Sequence, residues 1–498
     1  MQTPSLISKN RNLIIVTFLM IINTLCVCSI FNTIFFHTTD KLILSTSFIL
    51  ISIGITLVAF FLIHKVLKSC SITQLLIIFI ITRIILFTYF SISGSALELD
   101  FYYNWIPMAQ NILTGNISTH IAPPLLMWWY VYNYYVYGLH PLIWRFMNLL
   151  LEVGIIYIII RIFQEKSPTN TKALKGTEEN LKEKTIGENN FKIGVSFYTL
   201  SIFPITFIIL YANAIALTIL LGLLGILFYL RSKKTPKNIY YSIFFLTLCA
   251  LTSYIAAIWV FSVILLILFQ KNFKRLIIGI AEVIGVFGFI SIPLWINDPL
   301  GYLSNLFSLP SSSVSTLNET FWYFGQNFLS FLPLIIAIGI IAVYLYRSYQ
   351  KTDTLDFFII TLSILLVFLP LIYPWSYILI LPLISINIIH SFKKYLRINL
   401  IILGYLFCYF LLLAILFLIY PGPLNPDSLT ALNQIITFGE SIDVITIFHI
   451  FITPVFQIGL IYLVYSYTKS RELHFVLILP IVILFAINFL IWFGSFLY

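Results

Sequence analysis

The sequence predicts an all-α polytopic membrane protein, and three observations carry that reading. Hydrophobic residues make up 60% of the 498 residues and Asp, Glu, Lys and Arg only 9%. A soluble domain carries about 25% charged residues, so this chain lacks the polar surface that water demands. Mean hydropathy is +1.02. The apolar runs are long and unbroken, unlike the short alternating segments of an outer-membrane barrel. Helices are therefore the spanning element, because a helix satisfies its own backbone in lipid. The same composition excludes a disordered chain, a disulfide scaffold and a coiled coil.

The net charge of +10 is explained by where the cations sit. Lys9 and Arg11 precede the first run, Lys65 and Lys68 follow the second, and the polar segment 164–193 is rich in Lys, Glu and Asn. Further clusters lie at 231–237, 271–275, 347–351, 393–397 and 469–471, whereas linkers 94–140, 297–327 and 421–442 hold no Lys or Arg. The positive-inside rule puts the clusters in the cytoplasm and these linkers outside. The basic surplus is thus a topology signal, and no nucleic-acid partner is implied.

About fifteen spans follow, each near the 20 residues a bilayer requires. They run at about 12–36, 42–63, 72–93, 141–163, 194–211, 214–231, 238–252 and 254–270. The rest are 274–295, 328–347, 354–371, 375–391, 397–420, 443–467 and 474–496. The N-terminus is then inside, in what reads as a cell membrane. The chain divides into an N-terminal hairpin (1–70), a central module (71–310) and C-terminal helices (311–498). Three apolar stretches, 194–230, 239–270 and 354–392, have cytoplasmic charge at both ends and are too short for two full crossings. Their turns, near Tyr211-Ala-Asn213, Thr252-Ser253 and Tyr373-Pro-Trp375, should line a hydrated cavity or sit in locally thinned bilayer. The sequons at Asn116 and Asn318 both fall in outside loops. Cys26, Cys28, Cys70, Cys249 and Cys408 lie in or beside apolar runs and read as small buried residues.

Chemistry belongs to the few polar groups near the bilayer. Arg83, Glu152 and Glu282 lie within spans. The first long outside loop reads Glu98-Leu-Asp100-Phe-Tyr-Tyr-Asn-Trp105, then a helix-like Ile106 to Thr114, then His120-Ile-Ala-Pro-Pro124 and an aromatic stretch Trp128 to Tyr137. Its ends are both outside, so the aromatic stretch is an interfacial helix rather than a span, a depth that suits Trp and Tyr. Asp100, at the exit of the third span, has the chemistry of a general base, and also that of a helix cap. Glu98 supports or substitutes for it. Arg145 opens the fourth span and offers a fork suited to a lipid phosphate, or a plain interfacial anchor. Tyr102, Tyr103, Trp105, His120 and His140 read as membrane-interface groups of the loop. No residues imply a metal or other cofactor.

An order of features carries a resemblance. An apolar helix holds Thr82-Arg83-Ile-Ile-Leu. Asp100-Phe-Tyr-Tyr is followed by the helix Ala109-Gln-Asn-Ile-Leu-Thr-Gly115. Then come Pro123-Pro124-Leu125, Trp144-Arg145-Phe-Met-Asn148 and, late in the chain, Tyr373-Pro-Trp-Ser-Tyr377. Residues 72–163 so arranged resemble the opening module of GT-C-fold glycosyltransferases, polytopic enzymes that use polyprenyl-phosphate sugars. The resemblance implies a GT-C-like bundle with 71–310 as its catalytic module, Asp100 as base and Arg145 near the donor phosphate. It also implies a hexose, plausibly mannose, moved to a glycan, lipid or protein hydroxyl, with inversion. Many relatives carry an acid at the next outside turn; here that turn is Tyr211-Ala-Asn213, so metal-independent transfer is expected. No WWD-like motif occurs, and the two helices before residue 70 have no counterpart in the family plan.

The main alternative is a lipid-linked sugar flippase or other transporter, which would show charged pairs inside the bundle and duplicated halves. No internal repeat is visible. A polysaccharide polymerase would carry arginines in its outside loops, and 297–327 and 421–442 have none. An inactive assembly subunit is the third alternative.

Overall fold

The computed structural model describes residues 71–93, 106–115, 123–138, 140–166, 214–297, 332–349, 355–368 and 376–387, with a few single positions elsewhere. Among the described residues every regular element is a helix and no strand occurs. In chain order these are α1 (Ile72–Ser93), α2 (Ile106–Leu113), α3 (Pro124–Tyr137) and α4 (Pro141–Lys166). There follow α5 (Ile215–Ser232), α6 (Asn238–Ala250), a 3-10 turn (Tyr254–Ala256) and α7 (Ala257–Phe269). The last four are α8 (Phe273–Asn297), α9 (Leu332–Ser348), α10 (Asp356–Phe368) and α11 (Ser376–Asn387). Of these, α4, α5 and α8 contain stretches long and apolar enough to cross a membrane. The spans expected before residue 70 and after 397, the sequons and the turns at Tyr211–Asn213 and Tyr373–Trp375 lie outside the described residues.

Helix faces separate lipid from protein. On α1, Phe79, Thr82 and Arg83 are buried while Ile77, Ile80, Ile81 and Ile84 are exposed, the i, i+3, i+4 division of a one-sided helix. On α4 the buried stripe runs Arg145, Asn148, Glu152, Ile155, Ile159 and Ile162, with Phe146, Leu150, Val153 and Tyr157 facing out. The inner stripe is polar over its first half and apolar over its second. α8 is peripheral and turns Ile277, Ile284, Phe289 and Ile296 outward. Large apolar side chains exposed in such rows are lipid contacts. At the centre stands α10, with all thirteen residues buried; the α7 residue Trp259 donates its indole N–H to the Phe358 carbonyl at 3.0 Å.

Small residues bring α5 against its neighbours. A Cβ at Gly222 would lie 2.6 Å from the Trp259 ring, and one at Gly225 would lie 2.6 Å from Leu246 Cγ and 3.1 Å from its backbone nitrogen. Across that contact Ser242 Oγ donates to the Gly225 carbonyl at 2.8 Å and Cys249 Sγ to Thr218 O at 3.2 Å, the small-residue packing that lipid-embedded helices use in place of a hydrophobic drive. Cys249 is free and buried, as expected of it.

The stretch 239–270 forms the short hairpin its length requires. α6 and α7 have 13 residues each, or about 20 Å of helix against a hydrocarbon core of about 30 Å. Its turn is met by the start of α3. The N–H groups of Leu125 and Leu126, in the first turn of α3, both donate to the Leu251 carbonyl, at 2.9 and 3.4 Å. The unpaired donors of one helix start thereby satisfy the unpaired acceptor of another helix end. α3 thus packs across the turn of the hairpin. α3 starts at Pro124, earlier than the aromatic stretch suggests, because a proline at the first helical position has no N–H to leave unpaired. It ends at Gly138, whose positive φ of 67° a side chain would resist.

Ile106, Met108, Ala109 and Ile112 of α2 pack with Met127, Tyr130 and Val131 of α3 onto Trp144, Ala214 and Leu294. These last three stand at the start of α4, the start of α5 and the end of α8, so one end of the bundle is roofed by aromatic helices. Trp128 Nε1 adds a bond of 3.0 Å to the Ile290 carbonyl, close to Pro293, where α8 lacks a backbone donor. The opposite end is basic. Glu165 there holds Arg231 at 3.0 Å and Lys234 at 2.9 Å.

Gly225→Val should cost about 1–3 kcal/mol, since the clash is with backbone as well as side chain. Gly285→Ala, with nothing within 4 Å of its Cβ, should raise stability by up to about 1 kcal/mol. Thermal unfolding in detergent measures both.

Candidate functional site at the aromatic end

Arg83 and Glu152 form a fully buried ion pair, with Nη2 to Oε1 at 2.7 Å and side-chain exposures of 0% and 0%. Arg83 Nε also donates to Oε2 at 3.1 Å and to Oε1 at 3.2 Å, and the Phe79 ring lies 4.6 Å from the guanidinium carbon. Nη1 is enclosed without a hydrogen-bond partner, as is the hydroxyl of Tyr198, which lies within reach of both charges.

The pairing follows from antiparallel depth. Arg83 is ten residues before the end of α1 at Ser93, and Glu152 is eleven after the start of α4 at Pro141. At 1.5 Å per residue both lie about 15 Å from that end of their helices. The sequence shows each residue as a buried charge; only the matched depths reveal them as partners. Phe87 and Phe146, with ring centroids 6.4 Å apart, repeat the antiparallel register nearer the end. Glu282 takes no part in the pair. It lies half-buried on α8, with Oε2 enclosed and lacking a hydrogen-bond partner.

The register puts the end of α1 beside the start of α4, under the aromatic roof. Arg145 lies there at 1% exposure and Asn148 at 3%. Arg145, expected as a phosphate fork or an interfacial anchor, is thus enclosed by the protein. Arg145, Asn148 and Glu152 share one face at i, i+3 and i+7, a polar stripe running about 10 Å from the roof to the buried ion pair. On α3, Asn133 is fully buried and donates from Nδ2 to the Trp129 carbonyl at 2.7 Å, leaving Oδ1 without a hydrogen-bond partner. Sequence reasoning passed over Asn133, whose signal was an amide at i+4 spacing among aromatic residues, and used Asn148 only as part of the resemblance.

Glu98, Asp100, Tyr102, Tyr103, Trp105 and His120 lie outside the described residues. The chain that carries the first five joins the end of α1 to the start of α2, both at this end of the bundle. His140 is exposed just before α4, where its carbonyl accepts the Ile143 N–H at 3.1 Å. Among the described residues no group of His, Cys, Asp and Glu could hold a metal ion.

Comparison with known proteins finds no matching family model, no matching curated protein and no matching solved structure.

Removing either member of the ion pair strands a buried charge and should cost about 3–5 kcal/mol. The double variant Arg83→Met/Glu152→Leu should recover most of that loss. A double-mutant cycle on thermal unfolding in detergent measures the coupling; additive costs would show that the two charges do not interact.

Proposed function

We propose that the chain is an integral-membrane glycosyltransferase of GT-C-like architecture, a bundle of about fifteen spanning helices in the reading from hydropathy. It moves a hexose, plausibly mannose, from a polyprenyl monophosphate to an acceptor hydroxyl on the outer face. The observation that supports this reading is the convergence at the aromatic end. The segment bearing Asp100 is tethered at both sides to helices at that end, and Arg145 is enclosed beneath the same roof.

In this mechanism Asp100 accepts the proton of the acceptor hydroxyl as its oxygen attacks the anomeric carbon. The bond from that carbon to the phosphate oxygen breaks, and the electron pair leaves on the polyprenyl phosphate. A guanidinium is well matched to that dianion, which is the role given to Arg145. Displacement by one base without a covalent intermediate inverts the anomeric carbon. Tyr102, Tyr103 and His120 line the sugar and phosphate in this reading, with Glu98 in support of Asp100. The carrier tail lies in lipid, and the transfer uses no metal.

The buried Arg83–Glu152 pair favours a second reading, a lipid-linked sugar flippase, because buried charge pairs are a transporter's equipment. Purified protein in detergent, given labelled polyprenyl-phosphate hexose, a polyprenol-linked sugar acceptor and a chelator, separates the two. The transferase reading expects sugar transfer by wild type that falls at least about 100-fold in Asp100→Asn, the scale of a lost general base. Equal transfer by both proteins would remove Asp100 from the mechanism. Movement of the intact carrier across a liposome bilayer, with no transfer, would decide for the flippase.

A further inference from the structure

The end of the bundle opposite the aromatic roof holds a cavity of about 340 Å³ that the proposed transfer does not use. Its polar wall is built from Ser232, Lys233, Gln270, Arg275 and Tyr349, and among the described residues no carboxylate lines it. The floor is apolar, with Leu266 and Phe357 among its residues. Six elements therefore converge on it, α5 to α10, with Ile239 contributed by α6.

The charges around the cavity are unequally committed. Glu165 lies outside it and takes up Arg231 and Lys234. Among the described residues the side chains of Lys233 and Arg275 have no ion pair or hydrogen bond. Arg275 is fixed near the start of α8, whose first turn Asn272 caps by accepting the Arg275 N–H on Oδ1 at 3.3 Å. The preceding turn is held by Lys271, at a φ of 56°, with Asn272 N–H donating to Ile267 O at 3.3 Å, the bond that closes a Schellman-type helix end. The guanidinium is thus carried on a firmly built corner. A half-buried guanidinium and an ammonium over an apolar floor, between helix ends at the membrane surface, have the chemistry of a phosphate headgroup site.

We propose that this cavity binds the phosphate of an anionic glycerophospholipid, with Arg275 and Lys233 on the phosphate and the upper acyl carbons against Leu266 and Phe357. The shared chemistry is a phosphate ester; a soluble phosphate compound is the other source of it. The site lies on the face that positive-inside charge assigns to the cytoplasm, so its occupant comes from the inner leaflet and is independent of the sugar donor.

The full-length protein in neutral detergent, titrated separately with phosphatidylglycerol, phosphatidylcholine and inorganic phosphate, tests this by melting temperature. Phosphatidylglycerol should raise wild-type Tm by about 3 °C or more, as ligand linkage requires, and phosphatidylcholine should not. The rise should vanish in Lys233→Gln/Arg275→Gln, persist in Lys237→Gln/Lys274→Gln, which removes equal charge from exposed positions outside the cavity, and return in Lys233→Arg/Arg275→Lys. A rise with inorganic phosphate, lost in the same cavity variant, would keep the phosphate site and assign it to a soluble ligand. No rise in wild type, or equal loss in both double Gln variants, would overturn the proposal; the wild-type result stands whether or not a variant folds.

Discussion

The structure depends on one constraint: a helical hairpin too short for the bilayer must still satisfy the backbone at its turn. α6 spans about 20 Å and α7, with the 3-10 turn that leads into it, about 25 Å, against a hydrocarbon core of about 30 Å, and the Leu251 carbonyl at their junction is a helix-end acceptor that needs a partner. The first-turn amides of α3 meet it. That contact seats α3 across the turn, and α2 then packs on α3. Trp144, Ala214 and Leu294 complete the seat from three longer helices. The two roof helices are therefore bound to the bundle through both backbone and side chains.

The ion pair between Arg83 and Glu152 has a different role. A buried pair adds little net stability, because desolvation consumes most of the Coulomb gain. It does fix how far α1 slides along α4, since a one-turn slip would leave two charges unpaired in the core. Register then determines where α1 ends, and with it where the chain bearing Asp100 begins. The proposed chemistry inherits its position from a contact about 15 Å away along the helix axis.

Much of this was legible in the sequence, for identifiable reasons. α1 coincides with the expected 72–93 span, and α5 and α8 lie within a residue or two of theirs, because long apolar runs and flanking charge leave little freedom. The short hairpin followed from counting residues between cytoplasmic charges. What covers its turn did not, because a backbone-to-backbone bond between Leu125 and Leu251 leaves no side-chain signature. Enclosure of Arg145 was equally hidden, since a cation at a helix start reads the same whether it faces water or a roof. The pairing of Arg83 with Glu152 lay between these cases, recoverable from depth once α1 and α4 are recognised as antiparallel neighbours.

The two ends of the bundle differ in kind, one aromatic and roofed, the other basic and holding a cavity, and both proposals rest on which side each faces. Single cysteines placed at Tyr135, 79% exposed on α3, and at Lys234, whose side chain is 58% exposed at the basic end, decide this in intact cells with a membrane-impermeant maleimide. The account predicts labelling of Tyr135→Cys in intact cells and of Lys234→Cys only after permeabilisation, each above the parent protein. Labelling of Lys234→Cys in intact cells, with Tyr135→Cys protected until permeabilisation, would contradict it.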